Sequence, residues 1–486
     1  MKICIVAEGC YPYVVGGVSG WIHSMIKSFS NIEFCVLAIV ANRSQRGKFA
    51  YDLPENLTEV YEVYLDDYDW SGRSSKYGKR TKLNTKQFNA LRSIIIDKEV
   101  DWNTLFDLFQ KEKISIDDLL MGADFLQVVK EAYNMQYSQM IFSDFLWTVR
   151  SIYLPLFLVL KSAIPKADIY HCVATGYAGV LGSMAKHIYG CGLMVSEHGI
   201  YTREREEELL RASWVSGVYK NIWIDQFRKM SRLAYHMSDV VTSLYEHAKG
   251  LQIELGCPKD KIVITPNGID MERLSNLQGK TAEEADVINI GAILRVTPIK
   301  DVKTLIRAYA YAREEKENLR LWIMGPWEED KEYAEECFEL VEQQRIPGIT
   351  FTGRVDIREY LGRMDFTMLT SISEGQPLTV LESFAARKPV IATDVGNCRE
   401  LIYGNNDGYQ AAGILTHIMN VSEIARAMIE LASSPSMRED MGNNGYERVK
   451  QRYQLHQMKE TYAKIYEELG WEHGREWPTE VFTIKK

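Results

Sequence analysis

Short runs rich in valine and isoleucine, each closed by a polar or glycine turn and followed by a helical pattern, recur along most of this chain. In the first half they fall at residues 3–7, 34–41, 169–173, 193–196 and 240–243. In the second half they fall at 262–265, 288–294, 319–324, 349–352, 366–370 and 390–392. Strands separated by helices pair in parallel, because each helix carries the chain back to the start of the sheet. The pattern predicts an α/β fold of two doubly wound, Rossmann-like sheets, and 486 residues give room for both. Hydrophobic residues at 46% and charged residues at 25% match folded proteins and exclude disordered or collagen-like chains.

Pro266-Asn267-Gly268 is a strong turn between the two strand sets, so the boundary is expected near residues 258–268. The expected organisation is a first domain over 1–262, a second over 263–460, and a tail over 461–486 that packs back on the first. Open parallel sheets bind ligands beyond the carboxyl ends of their strands, so a cleft between the domains is expected. Residues of about 66–150 break the strand–helix rhythm and read as a helical insertion, opened by the acidic aromatic patch Asp66, Asp67, Tyr68, Asp69 and Trp70. The tail carries helical spacing over 453–468, then Trp471, Trp477 and Phe482.

A net charge of −9 leaves no basic surface for a nucleic-acid backbone, although a local cationic site for one small anion is compatible with it. The eight cysteines never form a Cys-x-x-Cys pair, which argues against a zinc knuckle or a disulfide framework and for a reducing compartment. The first seven residues read as a strand, not a signal peptide. The longest apolar runs, 34–41 and 153–160, have eight residues each against the ~20 of a membrane span, so no transmembrane segment is expected. The second of these reads as a buried helix interrupted by Pro155.

The sharpest local pattern is Ser373-Glu374-Gly375-Gln376-Pro377-Leu378-Thr379-Val380-Leu381-Glu382, in a glycine loop after the run 366–370. Pro377 suits the first position of a helix, whose free N–H groups and partial positive charge favour an anion such as a diphosphate. Judged alone, the two glutamates favour a plainer reading, a capping carboxylate and a solvated helix residue. In the segment Gly291 to Lys300, Arg295 ends an apolar strand and Lys300 follows five residues later. Two such cations can neutralise a diphosphate without metal, arginine by bidentate contact and lysine as a point charge, though surface ion pairs would use the same residues.

The first half carries Gly16-Gly17-Val18-Ser19-Gly20 after its first strand, with a helix expected from about Trp21. Paired glycines let backbone approach a phosphate or sugar closely, and they also make plain turns. Glu197-His198-Gly199-Ile200-Tyr201-Thr202-Arg203-Glu204-Arg205 follows the run 193–196, which aims His198 at a ligand, whereas His171 on an earlier strand reads as structural. Asp67-Tyr68-Asp69 is formally a metal-binding Asp-x-Asp, but it opens the insertion instead of ending a sheet strand.

Taken in order, Pro266-Asn267-Gly268-Ile269-Asp270, Arg295 with Lys300, Phe351-Thr352-Gly353-Arg354, and the Glu374 to Glu382 spacing resemble retaining glycosyltransferases of family 4, with the GT-B fold. The resemblance implies a nucleotide-sugar donor held mainly by the second domain. It assigns Arg295 and Lys300 to the diphosphate and Glu382 to the ribose hydroxyls. Glu374 would face the donor hexose, with Gly375, Gln376, Pro377, Leu378 and Thr379 around it and Arg354 nearby. Gly16 and Gly17 match the family's first-domain glycine loop, and His198 its first-domain histidine. Glu374, His198, Arg295 and Lys300 are the implied catalytic group.

The family's usual Glu-Gly-Phe-Gly loop reads Glu374-Gly375-Gln376-Pro377 here, which leaves the hexose open. The Glu197–Arg205 string, the opening from Glu8 to Ser19 and the insertion are similar to the PelF branch, cytosolic enzymes of Pel-type exopolysaccharide synthesis that act with a membrane-bound synthase. The implied activity is retaining transfer from a UDP-sugar, UDP-glucose first, to a glycan acceptor, with no metal or other cofactor. The implied location is the cytoplasm, at or near the inner face of the membrane. Rival readings are a nucleotide-sugar epimerase of the same fold and a non-catalytic scaffold subunit.

Overall fold

The computed structural model describes residues 1–68, 82–213, 215 and 217–475. Two compact units divide the chain: one holds Met1–Ser243, Lys249–Ile264 and the described residues from Tyr462 onward, the other Leu244–Ala248 and Thr265–Thr461.

The first unit is built on seven parallel strands: β1 (Lys2–Glu8), β2 (Glu33–Val40), β3 (Leu57–Tyr64), β4 (Ile169–Cys172), β5 (Gly192–Ser196), β6 (Val240–Ser243) and β7 (Ile262–Ile264). Their order is β3-β2-β1-β4-β5-β6-β7, with Cys4 opposite Cys35 and Ile5 opposite His171. Helices cover both faces of a doubly wound sheet, so its central strands can be apolar throughout; every residue of β4 and β5 is buried.

The second unit carries six parallel strands: β8 (Ile288–Ile293), β9 (Leu319–Met324), β10 (Ile349–Gly353), β11 (Phe366–Leu369), β12 (Val390–Thr393) and β13 (Gly413–Thr416), in the order β10-β9-β8-β11-β12-β13. Both sheets are the doubly wound type that the alternating pattern predicts.

Three strand expectations change. The run 262–265, counted with the second half, supplies β7, which pairs with β6 in the first sheet. β3 was missed because Thr58, Glu59 and Glu62 interrupt Leu57–Tyr64, so it shows no continuous apolar run, as suits a partly exposed edge strand. β13 is only four residues long and gives little apolar signal.

Helices Thr85–Ile95, Trp102–Lys111, Ile116–Leu120 and Ala123–Ala132 fill much of the insertion, and their apolar faces join the core of the first unit. Asn84, Asp101 and Ser115 cap the first three of these helices by accepting from backbone N–H groups.

Helix Phe142–Lys161 runs unbroken through Pro155, where a break was expected. Among the described residues it is the one helix long and apolar enough to cross a membrane, by length and composition only. Counting uninterrupted apolar runs missed it because Asp144 and Arg150 interrupt the pattern. It contributes ten buried residues to the first unit, Arg150 among them, as a core helix does. The tail helix begins at Leu455 and ends at Glu472; Trp477 and Phe482 lie outside the described residues.

Candidate active site

In the second sheet the strand order reverses between β8 and β11, the switch point beyond which open α/β sheets bind ligands. The loops leaving these two strands are stitched together. Ile372 N donates to Ile299 O at 2.8 Å, and Thr370 Oγ1 to Lys300 O at 3.0 Å. Lys300 thereby reaches Glu374 and forms an ion pair with its carboxylate, which also accepts from Ser371 Oγ at 2.6 Å. Only 17% of the Lys300 side chain and 13% of the Glu374 side chain are exposed, so the pair is largely desolvated.

Helix Leu378–Ala385 begins directly after this loop. Pro377 is its cap, with extended backbone at φ −73 and ψ 114, and not its first helical residue as expected. No side chain caps the helix, and while Val380 N donates to Pro377 O at 3.2 Å, the N–H groups of Leu378 and Thr379 are left to a ligand or to solvent. Thr379 lies half-buried in the first turn. Glu382, one turn on, is pushed up to about 7 by burial, with Arg273 acting in the opposite direction.

Arg295 is not drawn into the Lys300–Glu374 contact; it pairs with Glu329, and both side chains are about half exposed (49% and 54%). Arg354 is exposed after β10. The structure thus joins Lys300 to Glu374 directly, while Arg295 and Arg354 stand at the surface of the same unit.

Contacts that the sequence did not suggest hold the loop. Gln376, only 6% exposed, accepts through Oε1 from Asn267 N at 2.6 Å. Gly375 O accepts from Asn397 N at 2.8 Å. Gly396 has φ +53, and a Cβ there would fall 2.2 Å from Gly375 O, so any larger residue would push the loop away. Arg273 lies just three residues beyond the Pro266–Asp270 turn, the signal that could have found it.

In the first sheet the reversal lies between β1 and β4. Helix Gly17–Ser28 starts four residues earlier than expected, with exposed Gly16 as its extended cap and no side-chain cap bond. Glu8, at the end of β1, accepts from Tyr201 Oη at 2.9 Å and Ala178 N at 3.1 Å, and burial pushes its carboxyl up.

His198 follows β5, with its ring against Trp21 at 4.4 Å between centroids. Its Nε2 is shielded from solvent and has no hydrogen-bond partner among the described residues, and burial lowers its pKa to about 4. Its neighbour Glu197 is fully engaged, accepting from Tyr235 Oη at 2.5 Å, Thr175 Oγ1 at 3.0 Å and Gln252 Nε2 at 3.0 Å.

His171 is structural in its bonding: Nδ1 meets Tyr466 Oη at 2.6 Å and Nε2 meets Ser196 Oγ at 2.7 Å. Asp67 pairs with Arg43 at 2.8 Å, and Asp69 lies outside the described residues. No three His, Cys, Asp or Glu side chains among the described residues gather closely enough to hold a metal ion.

Comparison with known families matches residues 1–260 to a domain of unknown function, DUF3492, and residues 272–448 to Glycosyl transferases group 1. Over 183 residues the chain is 26% identical to the putative colanic acid biosynthesis glycosyltransferase WcaL of Escherichia coli K12, covering 36% of this chain and 44% of that protein. Over 303 residues it is 22% identical to an MMP α-(1→4)-mannosyltransferase of Mycolicibacterium hassiacum, covering 62% of this chain and 70% of that one.

Among solved structures, Anabaena Alr3699/HepE in complex with UDP and glucose aligns with a TM-score of 0.60 at 15% identity, over 96% of this chain and 100% of that one. Sucrose-phosphate synthase from Thermosynechococcus elongatus aligns with a TM-score of 0.61 at 13% identity, over 97% of this chain and 99% of that one. At such identities the structural likeness speaks for the fold, and the family matches speak for the chemistry. The chain belongs to the DUF3492 family, carries a glycosyl transferases group 1 domain behind that region, and is a glycosyltransferase of the GT-B fold.

Proposed function

We propose that this enzyme is a retaining hexosyltransferase of the PelF branch of family 4, which moves a hexose from a UDP-sugar, UDP-glucose first, to a growing exopolysaccharide. The observation that carries the reading is the desolvated Lys300–Glu374 pair beside an uncapped helix start, at the switch point of the second sheet. A diphosphate set there meets the Lys300 ammonium and the free N–H groups around Leu378 and Thr379. Arg295 is available to the same phosphates because an exposed ion pair such as Arg295–Glu329 costs little to exchange. These groups supply the counter-charge, so the reaction needs no metal or other cofactor. HepE, whose structure holds UDP and glucose, supports the UDP-linked donor, and WcaL, an enzyme of colanic acid synthesis, supports the polysaccharide product.

In this reading Glu382 accepts from the ribose hydroxyls, and Glu374 with Gly375, Gln376 and Pro377 faces the hexose. Arg354, exposed after β10, is assigned to the donor by the resemblance alone. The Gly16–Gly17 backbone and neutral His198 are the first unit's contribution. The bond from the anomeric carbon to the phosphate oxygen breaks as the acceptor oxygen bonds to that carbon on the same face. The acceptor's proton passes to the departing phosphate. Charge that develops on this phosphate is what Arg295, Lys300 and the helix start stabilise, and preorganised electrostatics of this kind is usually the largest single contribution to catalysis. The domains are proposed as 1–262 on the acceptor side, 263–460 on the donor side and 461–486 as a returning tail. The setting is the cytoplasm, beside a membrane-bound synthase.

A thermal-shift panel of UDP, UDP-hexoses and GDP-mannose tests the donor. Saturating UDP-glucose at about 100 times its Kd adds about 2.7 kcal/mol of stability. A response to no UDP-linked compound overturns the reading. Release of UDP only when acceptor is present, with the anomeric configuration of the product kept, separates the transferase from an epimerase and from a scaffold.

A further inference from the structure

We propose that Gln376 is a positioning residue: its side-chain oxygen fastens the loop 373–377 to the segment by which the chain enters the second unit, and so fixes the backbone that faces the donor hexose. The inference rests on the donor reading above and deepens it. Gln376 Oε1 accepts from Asn267 N at 2.6 Å, two residues after the chain enters the second unit at Thr265. Both residues are buried, at 6% and 9% exposure, so without this acceptor the Asn267 N–H loses its bond in a site with little access to water. Phenylalanine, which stands here in the usual loop of the resembled family, has no acceptor to offer.

The other half of the amide is idle. Gln376 Nε2 is shielded from solvent and has no partner among the described residues, so the oxygen alone does the fastening. A second brace comes from elsewhere in the chain, where Asn397 N donates to Gly375 O at 2.8 Å. Gly396 at φ +53 lets that segment approach within a distance no side chain would permit. Between them the two braces fix the carbonyls and amides of residues 374–376, one turn ahead of the helix that starts at Leu378. Replacing glutamine by a residue of equal length without the oxygen frees one side of the loop and leaves Lys300, Glu374 and Glu382 in place.

The test compares Gln376→Met with Gln376→Glu, which keeps an acceptor oxygen. Three readouts are taken: amide exchange at Asn267, melting temperature, and calorimetric affinity for UDP and for UDP-glucose. In Gln376→Met, Asn267 exchange rises at least about tenfold and UDP-glucose affinity falls about tenfold, while UDP alone changes less than about threefold. Gln376→Glu restores slow exchange and most of the preference for UDP-glucose.

Unchanged Asn267 exchange in Gln376→Met overturns the contact. Equal weakening of UDP and UDP-glucose, in step with a lower melting temperature, overturns the positioning role and leaves only a structural one. Wild-type protein that binds no UDP-hexose removes the donor reading and this role with it. Wild-type protein that binds one, beside a Gln376→Met variant that binds it equally well, removes this role alone.

Discussion

The strand ends of the two sheets are chemically opposite. Those of the first unit are polar and shielded: burial lowers the pKa of His171 to about 3 and that of His198 to about 4, and it pushes the carboxyls of Glu8 and Glu197 up. Those of the second unit carry charge in reach of solvent or of each other, with Arg295 about half exposed and Lys300 paired to Glu374. Neutral imidazoles such as His198 can orient hydroxyls, and the cations of the second set can balance a diphosphate. One fold used twice thus presents different chemistry at its two sets of strand ends, set by burial more than by residue type.

The hardest blow to this comparison would be a charged end that proved dispensable. Lys300→Ala removes the cation that meets Glu374, and kcat/KM is expected to fall by about 10²–10³, the usual loss when one preorganised donor of charge stabilisation goes. The melting temperature should fall as well, because Glu374 is left a largely buried carboxylate without its cation, so kcat/KM is compared on protein that is still folded. Turnover within a few-fold of wild type, measured as UDP released with acceptor present, breaks the comparison.

Glu382 sharpens it from inside the charged unit, because burial moves this carboxyl towards the behaviour of the first unit. Its pKa in the folded protein is about 7 against 4.5 ordinarily, so the folded state holds the proton more tightly than the unfolded chain. The stability this gives is fully present below pH 4.5 and is lost as the pH rises to about 7. Glu382→Gln, which cannot ionise, should therefore gain on wild type by about 3 kcal/mol between those limits, at about 1.4 kcal/mol per pH unit. Denaturant midpoints across that range check the slope, and parallel curves for the two proteins would show that Glu382 is solvated after all.

How far the sequence carried can be judged from the same residues. The two parallel sheets were legible because buried strands such as β2, Glu33-Phe34-Cys35-Val36-Leu37-Ala38-Ile39-Val40, are apolar on both faces. Edge strand β3 was not, because it is only partly buried and Thr58, Glu59 and Glu62 break its apolar run. The loop around Glu374 was legible as a motif, and its approach to Lys300 follows from the parallel order β8–β11. The contacts of Gln376 with Asn267 and of Gly375 with Asn397 join residues far apart in the chain, and no local pattern announces a hydrogen bond across 109 residues. The cap at Pro377 slipped by one position for a smaller reason, since helix ends are set by single backbone angles.

In the first unit, His171 is held by Tyr466 Oη at 2.6 Å and Ser196 Oγ at 2.7 Å, and Thr242 Oγ1 donates to the same serine at 2.7 Å. Tyr466→Phe removes one partner and leaves His171 Nδ1 buried without a bond, which costs about 1–3 kcal/mol. Urea unfolding reads that loss directly. A change near zero would mean that water reaches the ring and that the unit is less dry than its burial implies.

The smallest effect is an absence of slope, and it bears on which histidine matters. His198 keeps an unpartnered Nε2 beside Trp21, whereas both nitrogens of His171 are spent. With its pKa lowered to about 4, His198 is uncharged from pH 5 to pH 8, so it can exchange hydrogen bonds with a sugar hydroxyl but cannot act as a cation there. His198→Asn keeps a neutral hydrogen-bonding group and should lower kcat/KM by about tenfold, the worth of one hydrogen bond to substrate. The shape of the pH profile should be the same in both proteins. An inflection near pH 6.5 that vanished with the substitution would mean that His198 takes a proton during turnover, and the separation of a shielded first unit from a charged second one would then fail at His198.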